Sequence, residues 1–341
     1  MTIIFNAIPR IQYFPKPWKL AQIKMLRKQG KDPHQTAPYR PISLLPVFSN
    51  ILEKIIYVRI KTIIKIKKLI PEHQFEFRNK HSTIEQMHRL INEIIIALEN
   101  KQYYTSPFMD IEKVFDKINH ESVLQTIRKQ FPKQIHQLIK SYLSSRTFVI
   151  KIKDTYSEVK DIKAGVPQGS VLGPILYAFY TANIPTTTNS KILTFADDTA
   201  MLVRHTNPET AVKLLKEHIT KIEKWLQDKQ IKAKPNKCNH ITFTLQKQIS
   251  PNILLNGKHI IRTKQVKYIG LHLDTQLTWK QHTKSIIDKI QTTRRQMHML
   301  TSRKSILSIE NKLKIFKTII KPIWTYGIPL WGSHINKIET I

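Results

Sequence analysis

The stretch LTFADDTAML, residues 193–202, constrains the fold more than any other part of this sequence, because it puts two adjacent aspartates inside an apolar, strand-like run. The arms KILTFA and TAMLV on either side of the acids are typical of a β-hairpin with the acids near its tip. Aspartate is common in turns for purely structural reasons. Apolar residues on both arms nevertheless favour a core hairpin whose tip lies in a cleft, and such a setting makes a functional acid pair worth testing.

The acid pair belongs to a strongly basic chain, with 56 Lys and Arg residues against 24 Asp and Glu residues and a formal net charge of +32 at pH 7. Such an excess favours a polyanionic partner, with nucleic acid first and an anionic membrane surface second. The membrane interpretation is the weaker one, because no window approaches 18 consecutive apolar residues and the basic residues are spread over the whole chain. The single Cys238 excludes an internal disulfide and a cysteine-based zinc site within this chain, which fits a reducing, intracellular compartment.

The spacing of apolar residues predicts a helical, basic first third, an α+β middle with antiparallel hairpins, and a helical tail. The predicted elements of the first two parts are a helix over 51–64, a strand at PFMDI, helices over 124–131 and 135–143, a strand pair around FVIKIK, and a helix after Ser170.

The end of the middle part carries three further signals. Asn207 and Pro208 predict a capped helix start, followed by an apolar face formed by Ala211, Leu215, Ile219, Ile222 and Leu226. The alternation in HITFTLQ predicts a half-buried strand with Ile241, Phe243 and Leu245 on its apolar face. The pair Asn256-Gly257 predicts a two-residue hairpin turn, and the chain is predicted to be helical again beyond Trp279.

A third carboxylate decides whether the acid pair is a candidate metal site. Asp110 ends the apolar segment PFMDI, and an antiparallel sheet could bring it beside Asp197 and Asp198. Three converging carboxylates repel one another, and oxygen-only ligands suit Mg²⁺ or Mn²⁺. Two such ions can support an in-line displacement at phosphorus. On spacing alone, polymerases, nucleases and phosphatases all remain open.

Glycine is scarce in this chain and unevenly used. Only eight glycines occur, and Gly165, Gly169 and Gly173 fall within nine residues. A chain so poor in glycine is expected to need backbone freedom or close approach in that segment.

Several stretches together resemble the reverse transcriptases of non-LTR retrotransposons, particularly the jockey type of insects. The stretches that resemble its palm motifs are FMDIEKVFDKINH (108–120), AGVPQGSVLGPILY (164–177), TFADDTAML (194–202), KPNKCNHITF (234–243) and VKYIGLHLDTQLTW (266–279). Those similar to its finger motifs are KQGKDP (28–33), YRPISLLP (39–46) and HQFEFRNKHST (73–83), and KIFKTIIKPIWTYGIPLWG (314–332) is similar to its thumb. The resemblance covers about nine tenths of the chain, with the motifs in the family's order.

The resemblance implies an α+β right-hand polymerase with fingers, an antiparallel palm sheet and a helical thumb. Its expected domains are a reverse transcriptase domain over 5–273, with fingers mainly at 5–104 and palm mainly at 105–273, and a truncated helical thumb region over 274–341. The implied activity is that of an RNA-directed DNA polymerase, which extends a DNA 3′-end on an RNA template by two-metal nucleotidyl transfer.

The resemblance also implies roles for individual residues. Asp110 and Asp197 would hold two Mg²⁺ or Mn²⁺ ions with Asp198 in support, and Asp116 would be structural. Tyr268 to Leu273 would form the primer grip, and Trp279 would pack the thumb against the palm. The residues implied to bind the nucleotide are Lys28 and Arg40 at the triphosphate, Phe115 under the sugar, Gln168 and Gly169 beside the templating and incoming nucleotides, and Lys237 near the departing pyrophosphate.

The implied partners are an RNA template, a DNA primer, the RNA/DNA hybrid and dNTPs, with an element-encoded nucleic-acid-binding protein as a further partner and no membrane. The implied location is intracellular, in the nucleus at the integration site and in the cytoplasm as a ribonucleoprotein. Val114 stands where the family has alanine, and Glu76 where it has glycine, so an inactive copy that keeps the fold and binds RNA or hybrid is the alternative. A metal nuclease is disfavoured, because Phe115 and the PQG segment would then have no purpose.

Overall fold

The computed structural model describes residues 2–27, 39–76, 81–111, 114–247 and 251–334. The helices are α1 (Thr2–Ile11), α2 (Val47–Ile66), α3 (Thr83–Glu99), α4 (Val114–Lys117), α5 (His120–Gln130), α6 (Lys133–Leu143), α7 (Gly173–Thr181), α8 (Pro208–Asp228), α9 (Lys280–Gln296), α10 (His298–Thr301), α11 (Ile309–Ile315), α12 (Lys321–Thr325) and α13 (Ile328–Trp331). Shorter helical segments are the 3₁₀ turns Lys16–Lys19, Pro235–Lys237 and Gly332–His334 and the π-helical segment Phe316–Ile320.

The strands are β1 (Leu20–Arg27), β2 (Tyr39–Leu44), β3 (Tyr103–Asp110), β4 (Arg146–Ile152), β5 (Thr155–Tyr156), β6 (Lys160–Ile162), β7 (Lys191–Phe195), β8 (Asp198–His205), β9 (Asn239–Phe243), β10 (Leu254–Leu255), β11 (Lys258–His259), β12 (Ile261–Arg262), β13 (Gln265–Tyr268) and β14 (Leu271–Asp274).

The chain divides into two compact units, and each is built from separate stretches of sequence. Unit 1 comprises residues 1–79, 111–185 and 224–232. Its sheet has the order β2-β1-β4-β5, with β6 paired to β4. The buried faces of α2, α5, α6 and α7 form the rest of its interior, with Leu52, Ile56, Ile127, Tyr142 and Leu176 among the most buried side chains.

Unit 2 comprises residues 80–110, 186–223 and 233–341. Its main sheet has the order β12-β9-β3-β8-β7, in which β3 pairs antiparallel with both β8 and β9. Helix α3 packs on this sheet through Met87, Leu90, Ile91 and Ile94, and the β13–β14 hairpin adds Tyr268 and Leu271 to the same core. Strand β8 therefore lies in the interior of this sheet, and β7 forms its edge.

Most of the local predictions are confirmed. The hairpin around the acid pair is β7–β8, and the helix after it starts at Pro208, with Asn207 Oδ1 accepting hydrogen bonds from the amides of Glu209 and Thr210 at 2.8 and 3.3 Å. The five residues predicted to form the apolar face of that helix are all buried. Asn256 and Gly257 have φ angles of 50° and 71° and join β10 to β11, as expected for a turn that needs two left-handed residues.

The prediction of a half-buried strand at HITFTLQ is wrong. Strand β9 lies inside the sheet between β12 and β3, and His240 and Thr242 are as buried as Ile241 and Phe243. Leu245 lies beyond the end of the strand and is exposed. The two buried polar residues kept the sequence pattern alternating although both faces of the strand are covered.

The described part of the chain contains no helix that combines the length and the apolar character needed to cross a membrane.

Candidate active site

The acid pair lies where the β7–β8 hairpin turns. Ala196 in the turn has a φ of 49°, and Asp198 is the first residue of β8. Asp198 is exposed, while Asp197 is partly buried, with Oδ1 shielded from solvent. Apolar residues on both strands bury the arms, so the hairpin is a rigid support that presents its acids at one end.

The sheet register brings the third acid to the same end. In the antiparallel pairing of β3 with β8, Asp110 is the Cα partner of Asp198. Directly opposed residues in such a pair have Cα atoms about 4.5–5.5 Å apart. The backbone therefore brings positions 110, 197 and 198 together, as predicted for a metal site. The side chain of Asp110 is not among those that the structure describes.

Lys237 reaches the same end of the sheet from the other side of β3. Phe108 pairs with Asn239, and Lys237 lies two residues before Asn239 in the short 3₁₀ helix that leads into β9. Continuing that antiparallel register leads from Asn239 back towards the level of Asp110. The cation is exposed, so the arrangement brings one lysine to the three acid positions without burying it.

A second hairpin supports the first from within unit 2. The Tyr268 ring packs on Phe108 with centroids 4.9 Å apart, and its hydroxyl donates to the Leu193 carbonyl oxygen at 3.5 Å. Burial, and then the Asp198 carboxylate, raise the pKa of Tyr268 above its ordinary value. Tyr268 therefore stays a neutral donor, and the predicted primer-grip segment begins by bracing the acid hairpin.

The donor set at this end of the sheet fits a hard divalent cation. The carboxylates of Asp197 and Asp198 supply only oxygen ligands, which Mg²⁺ and Mn²⁺ prefer. Among the described side chains no group of three His, Cys, Asp or Glu residues is placed to hold a metal ion. A three-carboxylate site consequently depends on Asp110.

The glycine-rich segment over 164–173 is a tightly held loop in unit 1. Gly165 and Gly169 have φ angles of 83° and 113°, and a Cβ at these positions would lie 2.7 Å from the Asp116 carbonyl oxygen and 2.9 Å from the Ser43 carbonyl oxygen. The expected need for backbone freedom and close approach is confirmed at both positions. The amide of Ser43 donates to the Gln168 carbonyl oxygen at 2.8 Å, which ties the loop to β2.

Two predicted nucleotide-binding residues are positioned by this loop. The Gln168 amide nitrogen donates to Asp116 Oδ1 at 2.8 Å. Phe115 accepts the Val166 amide through its carbonyl oxygen at 2.8 Å and stacks on Tyr177 with centroids 4.6 Å apart and an interplanar angle of 9°. A cavity of about 280 Å³ beside them is lined by residues that include Ser43, Asp116, Phe148 and Gln168. Phe115 and Gln168 are thus held in fixed orientations before any ligand arrives.

The other predicted residues are less closely gathered. Arg40 is exposed on β2, three residues before Ser43. Lys28 lies outside the described residues. Val114, which replaces the family's alanine, is buried at the start of α4.

Sequence reasoning missed Glu53, whose carboxylate anchors the end of the loop. Glu53 is fully buried, and its Oε2 accepts the Leu172 amide at 3.0 Å while Oε1 accepts the Ser49 hydroxyl at 3.2 Å. Burial raises the pKa of Glu53, and the Leu172 amide, Arg146 and Ser49 act to lower it. The signal was present in the sequence, because Glu53 falls on the same helical face as Ile56 and Ile60, where an acid is out of place.

The overall fold is similar to that of telomerase. The structure of apo telomerase from Candida tropicalis matches with a TM-score of 0.55 at 14% identity, covering 98% of this chain and 63% of that one. Telomerase from the same organism in complex with a TWJ fragment of telomeric RNA matches with a TM-score of 0.53 at 12% identity, covering 99% and 58%. The expected α+β right-hand polymerase fold is confirmed.

The family follows from the sequence. A family model described as reverse transcriptase (RNA-dependent DNA polymerase) matches residues 26–273, and the chain belongs to this family. The family implies dependence on divalent metal in general.

The relatives sharpen this assignment. The chain is 37% identical over 350 residues to the probable RNA-directed DNA polymerase from transposon X-element of Drosophila melanogaster, covering 100% of this chain and 38% of the relative. It is 37% identical over 353 residues to the RNA-directed DNA polymerase from mobile element jockey of the same organism, again covering 100% and 38%. The resemblance to non-LTR elements of the jockey type is confirmed. The chain spans less than two fifths of the length of these curated relatives.

Proposed function

We propose that this chain is the polymerase region of a non-LTR retrotransposon protein and extends a DNA 3′-end on an RNA template with dNTPs. The observation that carries the proposal is the register of β3 with β8, which aligns Asp110 with Asp198 beside the turn that holds Asp197. This is the constellation that the family resemblance requires, supplied by strands from the interior of one sheet.

The proposal assigns Asp110, Asp197 and Asp198 to two Mg²⁺ or Mn²⁺ ions. Bound there, such ions would favour ionisation of the primer 3′-hydroxyl and neutralise charge on the leaving pyrophosphate. Lys237 would donate a proton to the pyrophosphate from the same end of the sheet. Tyr268, kept neutral by burial, holds the hairpin that carries two of the acids.

The loop of unit 1 supports the choice of nucleotidyl transfer over metal-assisted hydrolysis. In this loop the Gln168 carbonyl oxygen accepts the Ser43 amide and the Gln168 side chain donates to Asp116, while the neighbouring Val166 amide donates to the Phe115 carbonyl oxygen. Phe115 would exclude a 2′-hydroxyl from the incoming sugar, Gln168 and Gly169 would contact the nucleotides, and Arg40 and Lys28 would bind the triphosphate. We also propose that the protein is intracellular and acts in the nucleus at the integration site.

Primer extension tests this function. The purified chain is incubated with dTTP and Mg²⁺ or Mn²⁺ on poly(rA)/oligo(dT), together with Asp197→Ala and the control Asp154→Ala. Asp154 is an exposed turn aspartate between β4 and β5, so the control removes a carboxylate from a turn without a proposed role.

The proposal expects extension by the wild type and by Asp154→Ala, and none by Asp197→Ala. No extension by any of the three, with hybrid binding intact, would contradict it and favour the catalytically inactive alternative. Equal extension by all three would show that extension does not require Asp197.

A further inference from the structure

A polar pocket in unit 1 is not used by the proposed chemistry. It has a volume of about 440 Å³ and lies between the segment after α1 and the end of α6. Its lining includes Gln12, Tyr13, Lys16, Lys19, Lys140 and Ser144. Three of these six side chains are cationic, and no acidic side chain lines the pocket within the described residues.

The positive charge extends from the pocket into the interior of unit 1. Lys19 is only 4% exposed, and its Nζ donates to the Ser144 carbonyl oxygen at 3.1 Å. Arg146 is fully buried, donates from Nη1 to the Tyr142 carbonyl oxygen at 3.2 Å and lies 4.6 Å from the centroid of the Tyr142 ring. Within the described residues its Nε and Nη2 have no hydrogen-bond partner.

The two buried cations are not fully compensated. Lys19, Arg146 and Glu53 are the Lys, Arg, Asp or Glu side chains buried among the described residues, so at most one negative charge faces two positive ones. Burial, and then Arg146, lower the pKa of Lys19. An anion bound in the pocket would relieve this repulsion, because it would add the missing negative charge beside a partly desolvated ammonium group.

An exposed aromatic ring favours a nucleotide over a small inorganic anion. Tyr13 is 48% exposed, and the Lys19 ammonium lies 5.8 Å from its ring centroid. Lys16 and Lys140 are exposed at the same pocket. Alternating cations and aromatic rings bind single strands, since the cations hold phosphates while bases stack on the rings.

We propose that this pocket is a subsite for single-stranded nucleic acid, in which a backbone phosphate binds Lys16, Lys19 and Lys140 and a base stacks on Tyr13. The proposal rests on the proposed function only for the class of partner, because binding here requires no catalysis. All the residues involved belong to unit 1.

Charge removal tests the phosphate contacts. Binding of a fluorescent oligo(U) is measured as a function of salt for Lys16→Gln/Lys140→Gln and for the control Lys61→Gln/Lys65→Gln. Lys61 and Lys65 are exposed on α2 outside the pocket, so both double variants lose the same charge from unit 1. The pocket variant should bind about tenfold or more weakly at low salt, with a log-log salt slope smaller by about 1.4, at roughly 0.7 per lost contact on a single strand. The control should retain the wild-type slope.

Ring removal tests the stacking contact without changing charge. Tyr13→Leu should weaken oligo(U) binding about fivefold or more and leave the salt slope unchanged. The control is Tyr156→Leu, because Tyr156 is 54% exposed, belongs to unit 1 and has the Lys151 ammonium 5.0 Å from its ring, yet lies outside the pocket. Its affinity should match the wild type.

Equal losses in the pocket and control variants would overturn the proposal. Displacement of oligo(U) by tripolyphosphate at the same total phosphate concentration would also overturn it and assign the pocket to a free polyphosphate. If the protein extends primers but fails these binding tests, only the subsite is disproved. If it passes them and extends no primer, only the proposed polymerase function is disproved.

Discussion

The two units differ in what they bury. Unit 1 encloses Glu53, Arg146 and Lys19, all of them groups that carry charge in water. Unit 2 encloses His240 and His282, for which burial lowers the pKa to about 4, so at neutral pH both are uncharged. The acids of unit 2 at positions 197 and 198 lie at the end of the sheet, where Asp198 is exposed and Asp197 is partly buried.

The difference separates two uses of a carboxylate. Glu53 is buried, with a backbone amide and a hydroxyl as donors, and its effect is to fix the start of α7 and the loop before it. Asp198 is exposed and Asp197 is partly buried, and both lie at the turn of the β7–β8 hairpin, where the proposed metal site needs them. Substitution of Glu53 should therefore destabilise the fold, and substitution of Asp197 should abolish activity with little effect on stability.

The largest expected effect is on activity. Asp197→Asn keeps a residue suited to turns but replaces a charged ligand by a neutral amide. The rate of primer extension should fall about a thousandfold, since metal stabilisation of the transition state is worth several kcal/mol. The free energy of unfolding in urea should change by less than about 1 kcal/mol. A large loss of stability with unchanged extension would reverse the assigned roles.

The next largest effect is on stability. Glu53→Ala leaves Arg146 without a buried counter-charge and the Leu172 amide without its acceptor, and should cost about 3–5 kcal/mol in free energy of unfolding. Chemical denaturation measures this against Glu121→Ala, an exposed acid on α5. If both variants unfold at the same denaturant concentration, Glu53 is not a structural anchor.

The buried histidines predict a pH dependence. The pKa of His240 falls from 6.5 to about 4 through burial and then through Arg262, so the unfolded chain binds more protons between these values. Stability contributed by His240 is present above pH 6.5 and is lost as the pH falls towards 4, by on the order of 2–3 kcal/mol. Glu53 acts in the opposite direction, because its raised pKa makes the folded state bind more protons at acidic pH.

Denaturation midpoints from pH 7 to pH 4 check this dependence. His240→Leu should show a flatter profile than the wild type, and His259→Leu, at an exposed position on β11, should follow the wild type. A wild-type profile for His240→Leu would show that the burial of His240 does not affect how stability depends on pH.

The smallest expected effect concerns the loop backbone. Gly169→Ala forces a side chain into a φ of 113° with its Cβ 2.9 Å from the Ser43 carbonyl oxygen, at a cost of about 1–3 kcal/mol. Gly257→Ala is the control, because Gly257 also has a positive φ, of 71°, but nothing lies within 4 Å of its Cβ position. The KM for dNTP should rise only in Gly169→Ala. An equal KM in the two variants would show that close packing of Gly169 against Ser43 does not matter for nucleotide binding.

Local signals predicted much of this molecule. The Asn207 cap, the Asn256-Gly257 turn and the acid-tipped hairpin each depend on neighbouring residues, and each is present. Contacts between distant segments were harder to predict. Nothing near Arg146 in the sequence indicates that it shares an interior with Glu53, and the alternation in β9 hid a strand that is covered on both faces. The roles of the predicted site residues, and the domain limits at 104 and 273, remain predictions.

Metal-directed cleavage can show whether the end of the unit 2 sheet holds divalent cations. Fe²⁺ replaces Mg²⁺, and ascorbate with peroxide then produces hydroxyl radicals that cut the chain near the bound metal. We predict cuts close to residues 110 and 197–198 that Mg²⁺ suppresses and that Asp197→Asn abolishes. Cuts confined to other segments, or cuts at these positions that neither Mg²⁺ nor the substitution affects, would show that this end of the sheet does not bind the metal.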